Sequence, residues 1–282
     1  MKTKHLLLTF IVFCLSVFPL FTVTAKAAEP LTLWIHPYLP ATELIRKFSP
    51  LANYLSEKCG QTILVKVSES YKAHIERVGE ERIDLAYMGP ASFVKTFHTY
   101  GEQTLLARLE VNGSPLYQGM IVIRQDSPIK SLDDLKGKTF AFGDPNSTMS
   151  HLVPTYMLME EGVSVNSLKS SAFLGSHNNV ALGVLGGYYN AGGVKEGVYY
   201  KYKDRGLKLL ASSPPVSEHL FVVKKDLPQE TIETLRQGML QLKDKTVLAS
   251  IKKSATGLVP VKIEDYDYLF SVMRELNKLT AE

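Results

Sequence analysis

Leu31-Thr-Leu-Trp-Ile-His36 opens the stretch whose reading decides the fold, and that stretch closes at Tyr87. Its branched and aromatic residues read as a strand. Leu44, Ile45, Phe48, Leu51, Ala52 and Leu55 then recur at helical spacing. Thr62 to Val67 is a second expected strand, Tyr71 to Glu80 a short helix, and Ile83 to Tyr87 a third strand. Pro90 follows as a good first helical residue. A β-α-β-α-β order implies a parallel sheet with right-handed crossovers.

Further along, Asn112-Gly-Ser-Pro115 is a turn cluster, and Leu116 to Arg124 reads as one long strand. A second α/β series follows: strand from Lys138 to Phe142, helix from about Ser147, strand from Ser171 to Leu174, helix from about His177. Tyr189 to Val194 is a strand weakened by Gly192-Gly193. Leu207 to Ala211 is another strand, before Pro214-Pro215 breaks the pattern again. His219 to Val223 is strand, and the tail from Pro228 reads as mostly helical. Two α/β units with a break on either side of the second predict one domain inserted into another. One lobe is expected from residues 28–115 plus 225–282, the other from 125–212. Residues 116–124 and 213–224 would be the crossover strands.

Composition excludes several classes. The 282 residues are 45% hydrophobic and 21% charged, enough apolar material for one large core or two modest ones. A disordered chain would need lower hydrophobicity and higher net charge. Two Cys are too few for a disulfide scaffold.

The N-terminus has the pattern of a targeting segment. Lys2 and Lys4 precede an uncharged run from Leu6 to Val23, and Ala25-Lys26-Ala27 supplies the A-x-A pattern of signal-peptidase cleavage. A membrane anchor is the competing reading of an apolar run of about this length. Pro19 near its end and the A-x-A pattern favour a cleaved signal peptide, residues 1–27. The mature chain would be periplasmic, with 29 basic against 28 acidic residues, and a nucleic-acid partner finds no support in that balance. It would keep only Cys59, expected as a small buried apolar residue.

In open α/β sheets, ligands bind beyond the carboxyl ends of strands, where loops lead into helix N-termini. Four such loops share a character: Ser68-Glu-Ser-Tyr71, Tyr87-Met-Gly-Pro-Ala-Ser92, Gly143-Asp-Pro-Asn-Ser-Thr148 and Gly175-Ser-His-Asn-Asn179. Small residues admit a ligand close to the backbone, hydroxyls are short donors, and helix N-termini present free N–H groups. Each loop alone is explained by ordinary N-capping. Together they point to a small-oxyanion pocket. In the sharpest of them, Pro145 stiffens the turn, Ser147 caps the helix, and Ser147, Thr148 and Ser150 place hydroxyls around one anion.

The chain resembles the phosphonate/phosphite/phosphate solute-binding proteins of ABC transporters. The matching stretches are Ile83-Asp-Leu-Ala-Tyr-Met-Gly-Pro90, Gly113-Ser-Pro-Leu-Tyr117, Asp126-Ser-Pro-Ile129, Leu132-Asp-Asp-Leu-Lys-Gly-Lys-Thr139, Asp144-Pro-Asn-Ser-Thr148 and Leu152-Val-Pro154. This resemblance implies a type II periplasmic-binding fold: two α/β lobes, two crossover strands and a ligand in the cleft. It implies oxyanion donors at Ser147 and Thr148, first-lobe tyrosines at Tyr71 and Tyr87, a histidine at His177, and Tyr117 lining the cleft. It implies a monomeric carrier with a membrane permease as partner.

The sequence also departs from that pattern. The two carboxylates that bind an aminoalkyl group should fall near Glu196 and near Glu218 or His219, but neither aligns without a shift. Met149 replaces a small residue. A preference for phosphite, phosphate or a small alkylphosphonate over aminoethylphosphonate is therefore expected.

Enzyme signals are absent from the sequence. Gly137-Lys138-Thr139 resembles the end of a phosphate-binding loop, but Leu132 stands where that loop needs Gly. There is no G-x-S-x-G elbow, and the 7 His show no metal-ligand spacing. No metal or cofactor is expected. A periplasmic sensor subunit of the same fold is the alternative within the binding class, and a small-molecule enzyme on this fold is the alternative outside it. Tyr188, Tyr189, Tyr199, Tyr200 and Tyr202 read as half-buried second-lobe surface, or else as a patch facing a transporter.

Overall fold

The computed structural model describes residues 29–280, so the expected signal peptide lies outside the described residues. The chain begins with β1 (Leu31–Ile35), α1 (Ala41–Cys59), β2 (Ile63–Val67), α2 (Tyr71–Gly79), β3 (Leu85–Met88), α3 (Pro90–Tyr100) and β4 (Thr104–Val111). It continues through β5 (Leu116–Tyr117), β6 (Gly119–Arg124), β7 (Thr139–Phe142), α4 (Val153–Glu160), β8 (Ser170–Phe173), α5 (His177–Leu185), β9 (Ala191–Lys195), α6 (Glu196–Tyr202) and β10 (Leu207–Ser212). The last elements are β11 (Val216–Ser217), β12 (Leu220–Val223), α7 (Gln229–Leu240), α8 (Lys245–Ile251), β13 (Ala255–Val259) and α9 (Asp267–Thr280).

Eleven of these strands form two main sheets, one per lobe, with the orders β13-β4-β12-β3-β1-β2 and β10-β6-β9-β7-β8, and β5 and β11 pair in a small third sheet. In the first, β1 pairs in parallel with β2 and β3, as the opening stretch predicts. In the second, β7 pairs in parallel with β8 and β9. Each parallel trio continues into an antiparallel strand, β12 or β6. The carboxyl ends of both trios carry the ligand-facing loops.

Packing follows the patterns in the sequence. Leu44, Phe48, Leu51, Ala52 and Leu55 are the buried face of α1, while Ile45 turns outward at 41% exposure. Fully burying a side chain such as Phe48 is worth about 1.5–3 kcal/mol. The helix ends at Gly60, whose φ of 67° suits a residue without Cβ and lets its N–H donate to Ser56 O. A second core joins the lobes: Phe93 on α3, Tyr266 and Leu269 near α9, and Val153 and Met157 on α4 belong to one buried cluster.

Several elements differ from expectation. The long strand over 116–124 is interrupted at Gln118, because the chain changes partner there. β5 pairs with β11, whereas β6 pairs with β9 and β10. At the change, Ser213 substitutes for the ladder, accepting from Gly119 N–H through Oγ and from Gln118 Nε2 through its carbonyl. β6 lies in the second sheet and β12 in the first, so the β5–β11 ladder and its flanks are what passes between the sheets. The turn at 112 follows a full strand, β4, that the sequence reading does not supply. Nor does it supply β13, the edge strand within the helical tail.

Gly192 and Gly193 do not weaken β9; they let helices sit on it. A Cβ at Gly192 would fall 2.5 Å from Val180 of α5, and one at Gly193 would fall 2.6 Å from Pro154 of α4. The helix expected from Ser147 begins as a wide π-type turn, Thr148–Leu152, before α4. Cys59 is only partly buried, since it ends α1. Of the tyrosine group, Tyr202 is buried, and Tyr188 and Tyr200 are exposed.

Candidate functional site

A cavity of about 490 Å³ lies between the two sheets. Its first-lobe wall carries His36 and Tyr38 after β1, Tyr71 at the start of α2, Tyr87 in β3 and Tyr117 in β5. Its second-lobe wall carries Asp144, Ser147 and Thr148 after β7, His177 at the start of α5, and Lys195 at the end of β9. Glu218 and His219, between β11 and β12, line it with Lys47, Lys252 and Lys253.

The second-lobe loop is shaped by its own side chains. Asp144 Oδ1 accepts from Asn146 N–H at 2.7 Å, closing the turn around Pro145. Ser147 Oγ then caps the π-type turn by accepting from Ser150 N–H at 3.2 Å, and it lies 3.4 Å from His177 Nε2. The protonation of that imidazole is set by its other nitrogen. Lys195 N–H donates to His177 Nδ1 at 3.1 Å, so Nδ1 is the acceptor and Nε2 carries the hydrogen. Burial lowers this ring to about 3, with the Lys195 charge acting in the same direction. His177 is therefore a neutral N–H donor at physiological pH.

The lobes touch across α3. Ala91 N–H donates to Thr148 Oγ1 at 2.9 Å, and Lys95 Nζ donates to Asn146 Oδ1 at 2.8 Å. In the first lobe, His36, Tyr87 and His219 lie nearly parallel, with ring centroids 5.3–5.5 Å apart. His36 Nδ1 donates to Tyr87 O at 3.0 Å. Burial raises the Tyr71, Tyr87 and Tyr117 hydroxyls well above the usual phenol range, so all three stay protonated donors.

Both oxygens of the Glu218 carboxylate are engaged. His219 Nδ1 donates to Oε2 at 2.9 Å and Lys252 Nζ to Oε1 at 2.6 Å. Burial alone would raise this acid, but the His219 hydrogen bond and the Lys252 ammonium outweigh it and hold the group ionised.

Of the residues singled out from sequence, Tyr71, Tyr87, Tyr117, Ser147, Thr148, His177 and Glu218 come together on the cavity wall. Ser150 does not. Its hydroxyl is fully buried and donates to Gly193 O, because the π-type turn points it into the strand beneath. Glu196 is also absent from the wall. It opens α6, its N–H bonds Gln118 O, and its neighbour Lys195 occupies the wall instead.

The sequence does not single out His36, Tyr38, Lys195 or Lys252, and it marks His219 only as a neighbour of the expected second carboxylate. The strand-end rule covers the first two and Lys195, since all follow or end parallel strands. Lys252 and His219 come from irregular segments that only the closed chain brings near.

Comparison with known proteins agrees with this architecture. The family described as the periplasmic substrate-binding protein of the phosphonate ABC transporter matches residues 33–266. The phosphate-import protein PhnD of Mycolicibacterium smegmatis is 27% identical, over 88% of this chain and 86% of its own length. The phosphonates-binding periplasmic protein of Escherichia coli is 27% identical, over 66% of this chain and 58% of its own length. Among solved structures, PhnD1 from Prochlorococcus marinus in complex with methylphosphonate superposes with a TM-score of 0.78 at 21% identity, covering 89% of this chain and 99% of that one. Since the family match extends across both sheets and both cavity walls, the chain belongs to the periplasmic substrate-binding proteins of phosphonate ABC transporters.

Proposed function

We propose that this chain captures a small phosphorus oxyanion between its lobes and delivers it to the membrane permease of an ABC importer. The observation that carries the reading is the convergence of donors from both lobes on one cavity. Tyr71 faces it from the first lobe, and Ser147, Thr148 and the Nε2–H of His177 face it from the second. Such fixed donors suit an anion's oxygens, and hydrogen bonds to a charged group are the stronger kind. The relatives' names, phosphate import in one and phosphonate binding in another, bracket the same ligand class.

In this reading residues 1–27 are a cleaved leader and the mature chain acts as a periplasmic monomer. Residues 28–115 with 225–282 move against 125–212, and the β5–β11 ladder sits at the hinge. Phosphate, phosphite or a small alkylphosphonate is preferred over aminoethylphosphonate, because the Glu218 oxygens are already bonded and Glu196 lies off the wall.

Calorimetry with phosphate, phosphite, methylphosphonate, aminoethylphosphonate and sulfate tests this. Saturable binding of a phosphorus oxyanion, with sulfate and aminoethylphosphonate weaker, is the expected result. Tightest binding of sulfate would remove the assignment.

A further inference from the structure

The cavity is far larger than a five-heavy-atom oxyanion needs. Its volume of about 490 Å³ falls within the roughly 300–1,000 Å³ of small-molecule sites. Its charge is also unevenly distributed. Lys47 of α1, Lys195 of β9, and Lys252 and Lys253 beyond α8 all line it. Among the described residues, the Lys195 ammonium forms no hydrogen bond or ion pair, and neither do those of Lys47 and Lys253. Glu218, the carboxylate beside Lys195, is committed to Lys252 and His219.

The two ends of the cavity are electrostatically distinct. The charges acting on Lys195 are those of Lys252, Glu218 and Lys47. The carboxylate acting on Tyr71 is Asp144, in the loop that holds Ser147. The His177 ring touches both segments, accepting from the Lys195 backbone N–H at Nδ1 and lying 3.4 Å from Ser147 Oγ through Nε2. An ammonium held partly buried without a counter-charge is costly, and a ligand anion would relieve that cost.

We infer that the Lys195 end is a second-anion subsite, and that the ligand is a phosphonate or phosphate ester whose substituent carries its own carboxylate or phosphoryl group. This rests on reading the Ser147 end as the phosphorus-oxyanion clamp. Such a substituent would reach past His177 and pair with Lys195, while Lys47 and Lys253 add attraction at the rim. A cationic substituent would meet the same lysines and be repelled.

The test compares methylphosphonate, 3-phosphonopropionate, its neutral amide and methylenediphosphonate by calorimetry at fixed ionic strength. One of the two doubly anionic compounds should bind at least tenfold more tightly than methylphosphonate, and the neutral amide should lose that advantage. Whichever compound gains identifies the second group as carboxylate or phosphoryl. Lys195→Met should shrink the advantage at least fivefold. If that variant does not fold, comparison of the two doubly anionic compounds with methylphosphonate and the neutral amide in the unaltered protein decides alone. Affinities of both doubly anionic compounds no tighter than those of methylphosphonate and the neutral amide would overturn the subsite, as would an unchanged advantage in Lys195→Met. Ser147→Ala separates the two readings. If it weakens methylphosphonate while neither doubly anionic compound gains over the neutral amide, only the subsite falls. If no phosphorus compound binds the folded protein, both fall.

Discussion

Ala91, at the start of α3 in the first lobe, donates its backbone N–H to Thr148 Oγ1 in the second at 2.9 Å. A helix N-terminus thus uses one of its free donors to hold the opposite lobe. One hydroxyl therefore couples the oxyanion loop to the first lobe.

Thr148→Val keeps the shape of the side chain and deletes this coupling. Affinity for the best phosphorus oxyanion should fall about tenfold to hundredfold, since hydrogen bonds to charged groups are worth roughly 1.5–3 kcal/mol. Small-angle scattering should show a larger radius of gyration for the variant at saturating ligand. Thr148→Ser, which restores the hydroxyl, should stay within about threefold of the parent by calorimetry.

Ser147 and Ser150 lie three residues apart, yet their hydroxyls do different work. Ser147→Ala should lower affinity about tenfold or more and cost about 1 kcal/mol of stability through the lost cap. Ser150→Ala should cost about 1–3 kcal/mol of stability, because Gly193 O loses its buried donor, and should leave affinity nearly unaltered. Paired urea melts and titrations separate the two. A Ser150→Ala protein that melts normally and binds poorly would reverse the assignment.

Stability should fall in acid. Burial lowers His36, His74, His177 and His219 below 6.5, His74 to about 4 and His177 to about 3. The contribution of each neutral ring is full above 6.5 and is lost as pH falls toward its folded value, because the unfolded chain takes up the protons first. Each unit of pH in that window is worth about 1.4 kcal/mol per ring. Urea denaturation at about pH 5.5 should give several kcal/mol less than at about pH 7.5. Equal stability at both values would mean that the rings protonate freely in the folded protein.

Glu218→Gln should reduce stability by about 1–3 kcal/mol, because the His219 and Lys252 donors lose a charged acceptor. The variant should also lack the part of the acid sensitivity that lies below 4.5, where the native carboxylate loses its advantage as it protonates. Binding of aminoethylphosphonate should be unaffected. A loss above about tenfold in calorimetry would make Glu218 an amino-group ligand after all.

The sequence by itself determined the elements whose cause is local. Alternation in Leu31–Ile35 and the buried spacing of Leu44, Phe48, Leu51 and Leu55 set β1 and α1, and Pro90 marked the start of α3. The caps at Ser70, Ser147 and Ser176 likewise depend on neighbours only three residues away. The anion-facing loops could therefore be read before folding, as could Tyr71, Tyr87, Ser147 and His177 within them.

Tertiary structure decided whatever depends on residues distant in the chain. Whether Lys195 or Glu196 faces the cleft is a matter of one position at the end of β9, set by how that strand pairs with β6 and β7. Ser150 is drawn inward by the Gly193 carbonyl, 43 residues away. Lys252 reaches Glu218 across 34 residues and neutralises the carboxylate that composition alone would offer to an ammonium. Periodicity reports which face of an element is apolar, but the partner of a charge is chosen by the folded path of the chain.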